Sequence, residues 1–220
     1  MGERCIIEVG AHIMSDTLKL QKEWPHLPLW TFEPVPHLWS QLSEHFKTYP
    51  NVHPQAYAID VVDGHRDLHI ATDTGCSSLH TFTDNLGELW DASIEKHAPR
   101  PERERSRLGD FQIEETIEVQ TIRLDSFLTI VNFPKDGVIQ HLHCDAQGND
   151  LNVLKSLGDY IHCVQSGMIE TTKKEGLHLY TNGENYTEDA VAFLESNGFK
   201  KISIHNNDRA NSENNIRFSR

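Results

Sequence analysis

The first thirty-four residues carry the feature that most constrains the fold of this chain. A short apolar run, Cys5 to Val9, leads into Gly10, and a second apolar run ends at Phe32 and Glu33. Each run is too short for a helix and is typical of a buried parallel strand. The segment between them is helix-like, so the pattern predicts a β-α-β unit whose second strand ends in a carboxylate. A carboxylate there can accept a hydrogen bond from each hydroxyl of a ribose, which indicates S-adenosylmethionine (SAM) or a dinucleotide as ligand.

The rest of the chain continues to alternate predicted strands with predicted helices. This pattern favours an α/β fold with a doubly wound, mostly parallel sheet, in one domain over 1–220. Further strands are predicted at 52–59, 68–70, 138–145, 161–170 and 200–205, and helices near Ser15, Pro36, Leu124, Leu151 and Thr187. The first helix is expected to direct Ile13, Thr17, Leu20 and Trp24 inward. The segment 202–218 is expected to form an antiparallel hairpin at the sheet edge. Over 81–109 the pattern weakens and charge rises, which we interpret as a mobile insertion that covers the site.

The composition argues against several classes of partner. The formal net charge of -13 argues against nucleic acid, because phosphate binding needs a concentration of Lys and Arg. No apolar run approaches the length of a membrane span, so no membrane partner is expected. The cysteines lack paired spacing, which predicts reduced thiols and a cytoplasmic location; they are Cys5, Cys76, Cys144 and Cys163. No His or Cys cluster has zinc spacing, and no metal is predicted.

The loop after the first strand separates the two candidate ligands. It reads Gly10-Ala11-His12-Ile13-Met14, with one glycine where a dinucleotide site has three. A pyrophosphate would therefore lack its close-approach backbone loop, whereas SAM has no phosphate. SAM needs a tight turn, an acid for the ribose and a polar residue near the adenine. These types occur in that order at Glu8, Gly10, Glu33 and the segment 57–60. A nucleotide-dependent oxidoreductase stays the less favoured alternative.

A second polar cluster follows the strand predicted at 138–145. His143 and Asp145 share one face of that strand because side chains alternate, and Gly148 permits a sharp turn into the next helix. Ligands of open parallel sheets bind beyond the carboxyl ends of the strands, so Asp145 is expected beside the cofactor. His143 and Asp145 are the candidate catalytic bases for removing a hydroxyl proton. A packing role for His143, held by hydrogen bonds under a helix, stays open.

Together these motifs resemble the FkbM family of SAM-dependent methyltransferases. That family carries D-[IV]-G-A-N-x-G, then F-E-P, then K-[IV]-D-[VI]-E-G-x-E-x-x-[VL]-L-x-G. This chain has Glu8 to Met14, Phe32-Glu33-Pro34 and His143 to Ser156 at the corresponding places. The resemblance runs from about residue 5 to residue 199 and includes the Ser77-Ser78-Leu79 triplet and Glu170. The chain differs from the family pattern at Glu8, His12, Met14, His143, Gln147 and Asp150, where the family has Asp, Asn, Gly, Lys, Glu and Glu.

The resemblance implies a Rossmann-like class I methyltransferase fold with SAM as cofactor. The implied cofactor-binding residues are Glu8, Gly10, His12, Thr17, Glu33, Pro34, Ala58, Ser77, Ser78 and Asp145. The implied reaction is O-methylation of a hydroxyl on a small molecule, such as a secondary metabolite, or on a sugar or glycan. The acceptor pocket is expected between the insertion at 81–109 and the segment 180–186, where Trp90, Tyr180 and Tyr186 are candidates to stack on a sugar. The departures leave a non-catalytic binding module as a further alternative, and a homo-oligomer is compatible with the sequence.

Overall fold

The computed structural model of the chain describes residues 3–97, 111–181, 183, 185–207, 210 and 212–220. The strands are β1 (Arg4–Val9), β2 (Leu29–Phe32), β3 (Val52–Gln55), β4 (Ala58–Ile59), β5 (Gly64–Ala71), β6 (Ile113–Ile122), β7 (Val138–Cys144), β8 (Ser166–Thr172), β9 (Lys201–Asn206) and β10 (Glu213–Ser219). The α-helices are α1 (Ser15–Glu23), α2 (Pro36–Phe46), α3 (Leu86–His97), α4 (Leu124–Ile130), α5 (Asp150–Ser156) and α6 (Thr187–Ser196). Two 3₁₀ helices cover Thr74–Cys76 and Gly158–Cys163.

The described strands form one large sheet and one small sheet. The large sheet has seven strands in the order β3-β2-β1-β7-β8-β10-β9, and the small sheet has the order β4-β6-β5. In the large sheet β1, β2, β3, β7 and β8 are parallel, whereas β10 is antiparallel to both β8 and β9. The strand order reverses at β1, which has β2 on one side and β7 on the other, and this is the topological switch point. The fold is the Rossmann-like class I methyltransferase fold, and the predicted antiparallel hairpin at the C-terminal edge is confirmed.

Strand β1 is buried on both faces, as its continuous apolar sequence predicts. Ile7 and Val9 pack with α4 and α5 on one face, while Ile6 packs with α1 and α2 on the other. Each such fully buried aliphatic side chain contributes roughly 1.5–3 kcal/mol. Helix α2 begins at Pro36, where the missing N–H costs nothing, and it buries Leu38, Leu42 and Phe46. The switch point therefore lies between two well-packed layers of helices.

Some predicted elements differ from the structure in extent. The strand predicted at 52–59 is two strands, because the chain leaves the large sheet after Gln55 and β4 pairs with β6 instead. The strand predicted at 161–170 begins only at Ser166, because a 3₁₀ helix follows the left-handed Gly158. Ile13, predicted to point inward, is 59% exposed. The left-handed Met14 separates it from α1, so it lies outside the helical register.

The first part of the predicted insertion at 81–109 is a packed helix. Helix α3 buries Leu86, Trp90 and Ile94 in an apolar cluster that includes Phe111 and Tyr180. Residues 98–109 of the predicted insertion lie outside the described residues. The segment that follows them, β6, is a ten-residue strand that has no counterpart among the predicted elements. It pairs with β5 and β4 to form the small sheet.

Two features of the structure relate to the predictions made from composition, namely the state of the cysteines and the character of the helices. The cysteines Cys5, Cys76, Cys144 and Cys163 are all buried free thiols. Burial raises the pKa of the Cys5 thiol to about 12, which makes it unreactive. None of the helices in the described part of the chain is long and apolar enough to cross a membrane.

Candidate active site

A cleft opens at the carboxyl ends of β1 and β7, at the switch point of the large sheet. Its empty space is about 690 Å³ including the open mouth, within the range of small-molecule sites. The lining residues of interest are Gly10, His12, Glu33, Pro34, Ala58, Ser77, Ser78 and Asp145. All eight were predicted to bind a cofactor, and the structure brings them together around one cavity. The other two predicted residues, Glu8 and Thr17, do not line it.

Gly10 makes the tight turn that ends β1. Its φ of +86° is in the left-handed region, and a Cβ at this position would lie 2.0 Å from the backbone oxygen of Asp145. The Asp145 N–H donates to the Val9 carbonyl at 2.9 Å, which holds the two strand ends together. Only glycine fits such a close approach of two backbones. Gly10 therefore shapes the floor of the cleft.

Glu33 lies at the end of β2 with both carboxylate oxygens already oriented. Oε2 accepts from the His12 backbone N–H at 2.7 Å, and Oε1 accepts from the Val35 N–H at 2.9 Å. Burial raises the pKa of Glu33, whereas these two backbone donors act in the opposite direction. A carboxylate has about four lone-pair sites. Glu33 thus keeps one acceptor site on each oxygen, which is the requirement for gripping a vicinal diol.

Three residues other than glycine adopt the left-handed backbone conformation at or beside the cleft. They are His12 (φ 46°), Met14 (φ 60°) and Gln147 (φ 47°). Each costs roughly 1–2 kcal/mol for a residue with a Cβ, and such strain concentrates at functional sites. The FkbM pattern has Asn at 12 and Gly at 14, the residues that best tolerate this conformation. This chain therefore holds a histidine and a methionine in a conformation that asparagine and glycine adopt at lower cost.

One wall of the cleft is apolar and suits a flat heteroaromatic ring. It is formed by Phe32, Val35, Tyr57, Ala58, Ile59, Leu68 and Leu79. These residues come from β2 and the turn into α2, from β4 and the residue before it, and from β5 with its following loop. Ala58 is therefore placed where it can contact an adenine ring. Asp60, the acid in the segment predicted to supply a polar residue near the adenine, pairs with Arg66 and does not line the cleft.

The loop after β5 contributes a polar part of the wall. The Ser78 hydroxyl donates to the Gln147 carbonyl at 2.6 Å and accepts from the His80 N–H, while Ser77 Oγ accepts from the Ala71 N–H. In the same loop Thr74 Oγ1 lies 2.9 Å from His12 Nε2. These bonds connect the small sheet to both loops at the switch point, so the wall has a fixed position.

Asp145 ends β7 and faces the cleft. Its Oδ1 accepts from the side-chain amide of Gln147. Burial raises the pKa of Asp145, and the Gln147 donor and the nearby His143 partly offset that rise. Asp150, by contrast, accepts from the backbone N–H groups of Ala146 and Glu170 at 3.2 and 3.1 Å, so its carboxyl shapes the turn.

Glu8 and Thr17 form a buried pair behind the cleft. Glu8 Oε2 accepts from Thr17 Oγ1 at 2.7 Å and from Thr31 Oγ1 at 2.5 Å, and no described residue donates to Oε1. Alternation along β1 turns Glu8 toward α1, away from the strand end where the cleft opens. Burial raises the pKa of Glu8 to about 7 against the two threonine donors. Glu8 and Thr17 therefore support the loop after β1 from behind the cleft.

His143 lies beneath α1, two residues before Asp145 in the chain. It pairs with Glu8 across the β1–β7 register, and its Nε2 is 3.9 Å from Asp16 Oδ2. Burial lowers the pKa of His143, while Asp16 and Asp145 raise it. His143 is not among the residues that line the cleft. Of the two candidate bases, only Asp145 faces the space in which a substrate could bind.

The predicted sugar-stacking aromatics are mostly packed. Trp90 is buried with its ring 5.3 Å from Phe111, and Tyr180 is buried with its ring 5.5 Å from Phe82. Both therefore belong to the cluster around α3, and only Tyr186 retains partial exposure. The hydroxyl of Tyr180 nevertheless reaches the site, since it donates to Gln147 Oε1 at 2.7 Å.

Several site residues had not been identified from the sequence. Thr74, Gly75 and Leu68 line the cleft, and Gln147 joins Asp145 to Tyr180. The Asp73-Thr74-Gly75 run was an available turn signal, because an Asp side chain accepts from the backbone two residues on. Nothing in the sequence pairs residue 147 with residue 180.

The donors and acceptors of the cleft fit SAM better than a dinucleotide. The Gly10 and Ala11 N–H groups both donate to the Phe32 carbonyl, and the His12 N–H donates to Glu33. These amides are engaged within the chain, so the loop offers no nest for a pyrophosphate. The cleft instead supplies a carboxylate for a ribose and an apolar wall for adenine. In the described residues no group of three or more His, Cys, Asp or Glu side chains could hold a metal ion.

A protein-family model matches most of the chain. The family profile described as Methyltransferase FkbM domain matches residues 8–201. No curated protein sequence matches the chain. Among solved structures, precorrin-6Y C5,15-methyltransferase from Geobacter metallireducens matches with a TM-score of 0.44 at 9% identity, covering 100% of this chain and 82% of that chain.

Two further solved structures are similar at comparable levels. Fibrillarin from Aeropyrum pernix, with natively bound SAM, has a TM-score of 0.48 at 9% identity, covering 99% of this chain and 67% of that one. The N-terminal domain of EvdMO1, in the presence of SAH and D-fucose, has a TM-score of 0.48 at 13% identity, with coverages of 99% and 76%. This chain spans 37% of the longer EvdMO1 structure. With a family match over most of its length, the chain belongs to the FkbM family of SAM-dependent methyltransferases.

Proposed function

We propose that this protein transfers the methyl group of SAM to a hydroxyl of a sugar, a glycan or a hydroxylated secondary metabolite. The observation that carries the proposal is the presence of two carboxylates in the lining of one cleft. Glu33 is oriented to hold a ribose, and Asp145 faces the same space from the strand next to β1. This pairing supplies a grip for the donor and a base for the acceptor.

The sulfonium of SAM supplies an activated methyl group, so the main task of the protein is alignment. Glu33 would hold the ribose hydroxyls, and the wall around Ala58 and Ile59 would hold the adenine. Both are fixed before binding, Glu33 by two backbone donors and Ala58 and Ile59 by burial in β4. Fixed positions can contribute several orders of magnitude in rate, because the entropy of alignment is lost before the reaction.

Asp145 would accept the proton of the acceptor hydroxyl. A positioned base contributes typically 10²–10⁴-fold, provided that it lies within hydrogen-bond reach of the proton. The place of Asp145 in the lining of the cleft supports this role, and His143 does not line the cleft. Burial raises the pKa of Asp145 and so strengthens it as a base, while the Gln147 donor keeps the ionised form accessible.

The class of acceptor follows from the resemblance and from charge. FkbM relatives methylate hydroxyls of sugars and secondary metabolites, and a net charge of -13 disfavours a nucleic-acid acceptor. A neutral, polyhydroxylated acceptor suits an acidic protein whose cleft also presents the hydroxyl-bearing side chains Thr74, Ser77 and Ser78.

The experiment is incubation with methyl-labelled SAM and a panel of sugars, glycans and hydroxylated metabolites, read by mass spectrometry. We expect label in one acceptor class with wild-type protein, and transfer at least about 10²-fold slower with Asp145→Asn, the loss of one base. His143→Asn should bind SAM and transfer the methyl group at a rate close to that of the wild type. Tight SAM binding without transfer to any acceptor would favour the non-catalytic alternative, and NAD binding in place of SAM would overturn the assignment.

A further inference from the structure

We propose that Gln147 is a positioning residue that holds the Asp145 carboxylate in the cleft, and that Tyr180 in turn fixes the Gln147 amide. This inference rests on the proposed function, in which Asp145 accepts a proton. Neither Gln147 nor Tyr180 needs to touch the substrate for this role. Their contribution would be to set the direction and the proton affinity of the base.

The geometry assigns each atom of the Gln147 amide a partner. Nε2 donates to Asp145 Oδ1 and lies 3.4 Å from Glu170 Oε2, while Oε1 accepts from the Tyr180 hydroxyl at 2.7 Å. An amide nitrogen has two donor hydrogens, which matches two carboxylates. The reversed amide would turn Oε1 toward both carboxylates and its N–H groups toward Tyr180. The charges of Asp145 and Glu170 therefore select the observed orientation while both are ionised.

The backbone around Gln147 is held as firmly as its side chain. Gln147 has a φ of 47°, and its carbonyl accepts from the Ser78 hydroxyl at 2.6 Å. The next residue, Gly148, has a φ of 89°, and a Cβ there would lie 2.8 Å from the Tyr180 ring. A strained turn pressed against a buried aromatic ring leaves residue 147 little freedom. The amide is thus presented to Asp145 by a rigid support.

A glutamine suits this position better than the glutamate of the FkbM pattern. Glutamate at 147 would place a third carboxylate between Asp145 and Glu170, and adjacent carboxylates raise one another's pKa. The pKa of Asp145 would then be higher, and a smaller fraction of Asp145 would be ionised and able to accept a proton. The neutral amide instead donates to the ionised carboxylate, which favours the form that is competent to accept a proton.

Gln147 and Tyr180 together can also provide hydrogen-bond partners for Asp145 after Asp145 has taken a proton. A protonated Asp145 is a donor, and a turned Gln147 amide would accept from it through Oε1. The Tyr180 hydroxyl would then accept from Gln147 Nε2 and donate to the Cys76 carbonyl, which is 3.1 Å away in the present arrangement. Glu170 would lose its contact with Gln147 Nε2 and keep its bond from the Asn207 amide. Gln147 and Tyr180 thus offer a partner to either protonation state, which an acceptor-only or donor-only side chain could not.

Other titratable groups also act on Asp145 and must be considered in the test. They come from each element around it: His143 on β7, His12 in the first loop, Asp16 on α1, Asp150 on α5, Glu170 on β8, and Tyr180. Only Glu170 and Tyr180 contact the Gln147 amide, so replacing Gln147 alone leaves the contacts of the other four groups in place. A shift in the pKa of Asp145 on replacing Gln147 therefore reports the loss of the amide together with its two contacts.

The test is a carbon-13 NMR titration of protein labelled at the aspartate carboxyl carbons, with Asp145 assigned by its loss in Asp145→Asn. In Gln147→Met, which keeps the length but removes the hydrogen bonds, we expect the pKa of Asp145 to rise by about 1, the equivalent of one hydrogen bond to a charged group. Gln147→Glu should raise it further. Asn207→Ala removes a matched amide that contacts Glu170 but not Asp145, and should leave that pKa unchanged.

The titration needs no acceptor, so it separates this inference from the proposed function. A pKa of Asp145 that is the same in wild type, Gln147→Met and Gln147→Glu would overturn the positioning role. An equal shift in Asn207→Ala would also overturn it, since the effect would not be specific to residue 147. Where an acceptor is in hand, the acidic limb of the kcat/KM profile should move to higher pH by the same amount in Gln147→Met.

Discussion

The buried carboxyl of Glu8 makes the stability of this protein depend on pH, and Glu8→Gln isolates that contribution. The pKa of Glu8 rises from 4.5 in a solvated chain to about 7 in the fold, first because of burial and despite the donors Thr31 and Thr17. Each pKa unit corresponds to about 1.4 kcal/mol. The rise therefore corresponds to about 3 kcal/mol in the free energy of unfolding.

The direction of the effect follows from proton binding in the two states. Below about pH 4.5, Glu8 is protonated in both the folded and the unfolded chain. Between that pH and about 7, the folded chain keeps a proton that the unfolded chain releases, so the free energy of unfolding falls as pH rises. Above that range Glu8 is ionised in both states and the loss is complete.

The assay is urea unfolding of the wild type and Glu8→Gln across the range from about pH 4.5 to about pH 8, with the free energy of unfolding extrapolated to water. Glutamine cannot ionise, so the free energy of unfolding of the variant should rise by about 3 kcal/mol relative to that of the wild type as the pH increases over this range. Asp150, whose pKa is also raised to about 7, acts equally in both proteins and cancels. A difference between the two proteins that stays constant within about 0.5 kcal/mol at every pH would refute the reasoning.

Three further substitutions test the backbone and the support of the cleft. Gly10→Ala should lower the free energy of unfolding by about 3 kcal/mol and weaken SAM binding, because the added Cβ would meet the Asp145 carbonyl. The control is Gly64→Ala, where φ is also positive but the space around the added Cβ is open. It should lower the free energy of unfolding in urea by less and leave SAM binding unchanged. Met14→Gly should be more stable than Met14→Ala by about 1 kcal/mol, the reverse of the usual order, because residue 14 is left-handed; equal stabilities would contradict this. Thr31→Val removes a donor to Glu8 and should shift the pH-dependent loss of stability to higher pH; an unchanged curve would show that the bond does not stabilise the ionised form.

Much of the fold could be predicted because its signals are local. The continuous apolar run of β1, the proline at the start of α2 and the left-handed Gly158 each act within a few residues. The small sheet could not be predicted in this way. Strand β6 is rich in glutamate and mostly exposed at its start, and its role depends on pairing with β5, some fifty residues earlier.

The site could be located from the sequence, but the roles within it could not be separated. Glu33 and Asp145 end strands that neighbour the switch point, and strand ends meet at one edge of a parallel sheet. His143 lies two residues before Asp145 on β7, and Glu8 lies beside it on β1; a helix covers both, and sequence does not reveal which helix covers which face. Gln147 and Tyr180 meet only through the packing of the α3 cluster, so their bond has no local signal.

The measurement closest to the central claim is calorimetric titration of wild type and Glu33→Ala with SAM and with a SAM analogue lacking the ribose 2′-hydroxyl. If Glu33 grips the diol, the wild type should bind SAM at least about tenfold more tightly than the analogue, the equivalent of one charge-assisted hydrogen bond. Glu33→Ala should bind both weakly and alike. Equal discrimination between the two ligands by wild type and variant would contradict the assignment of Glu33 to the ribose.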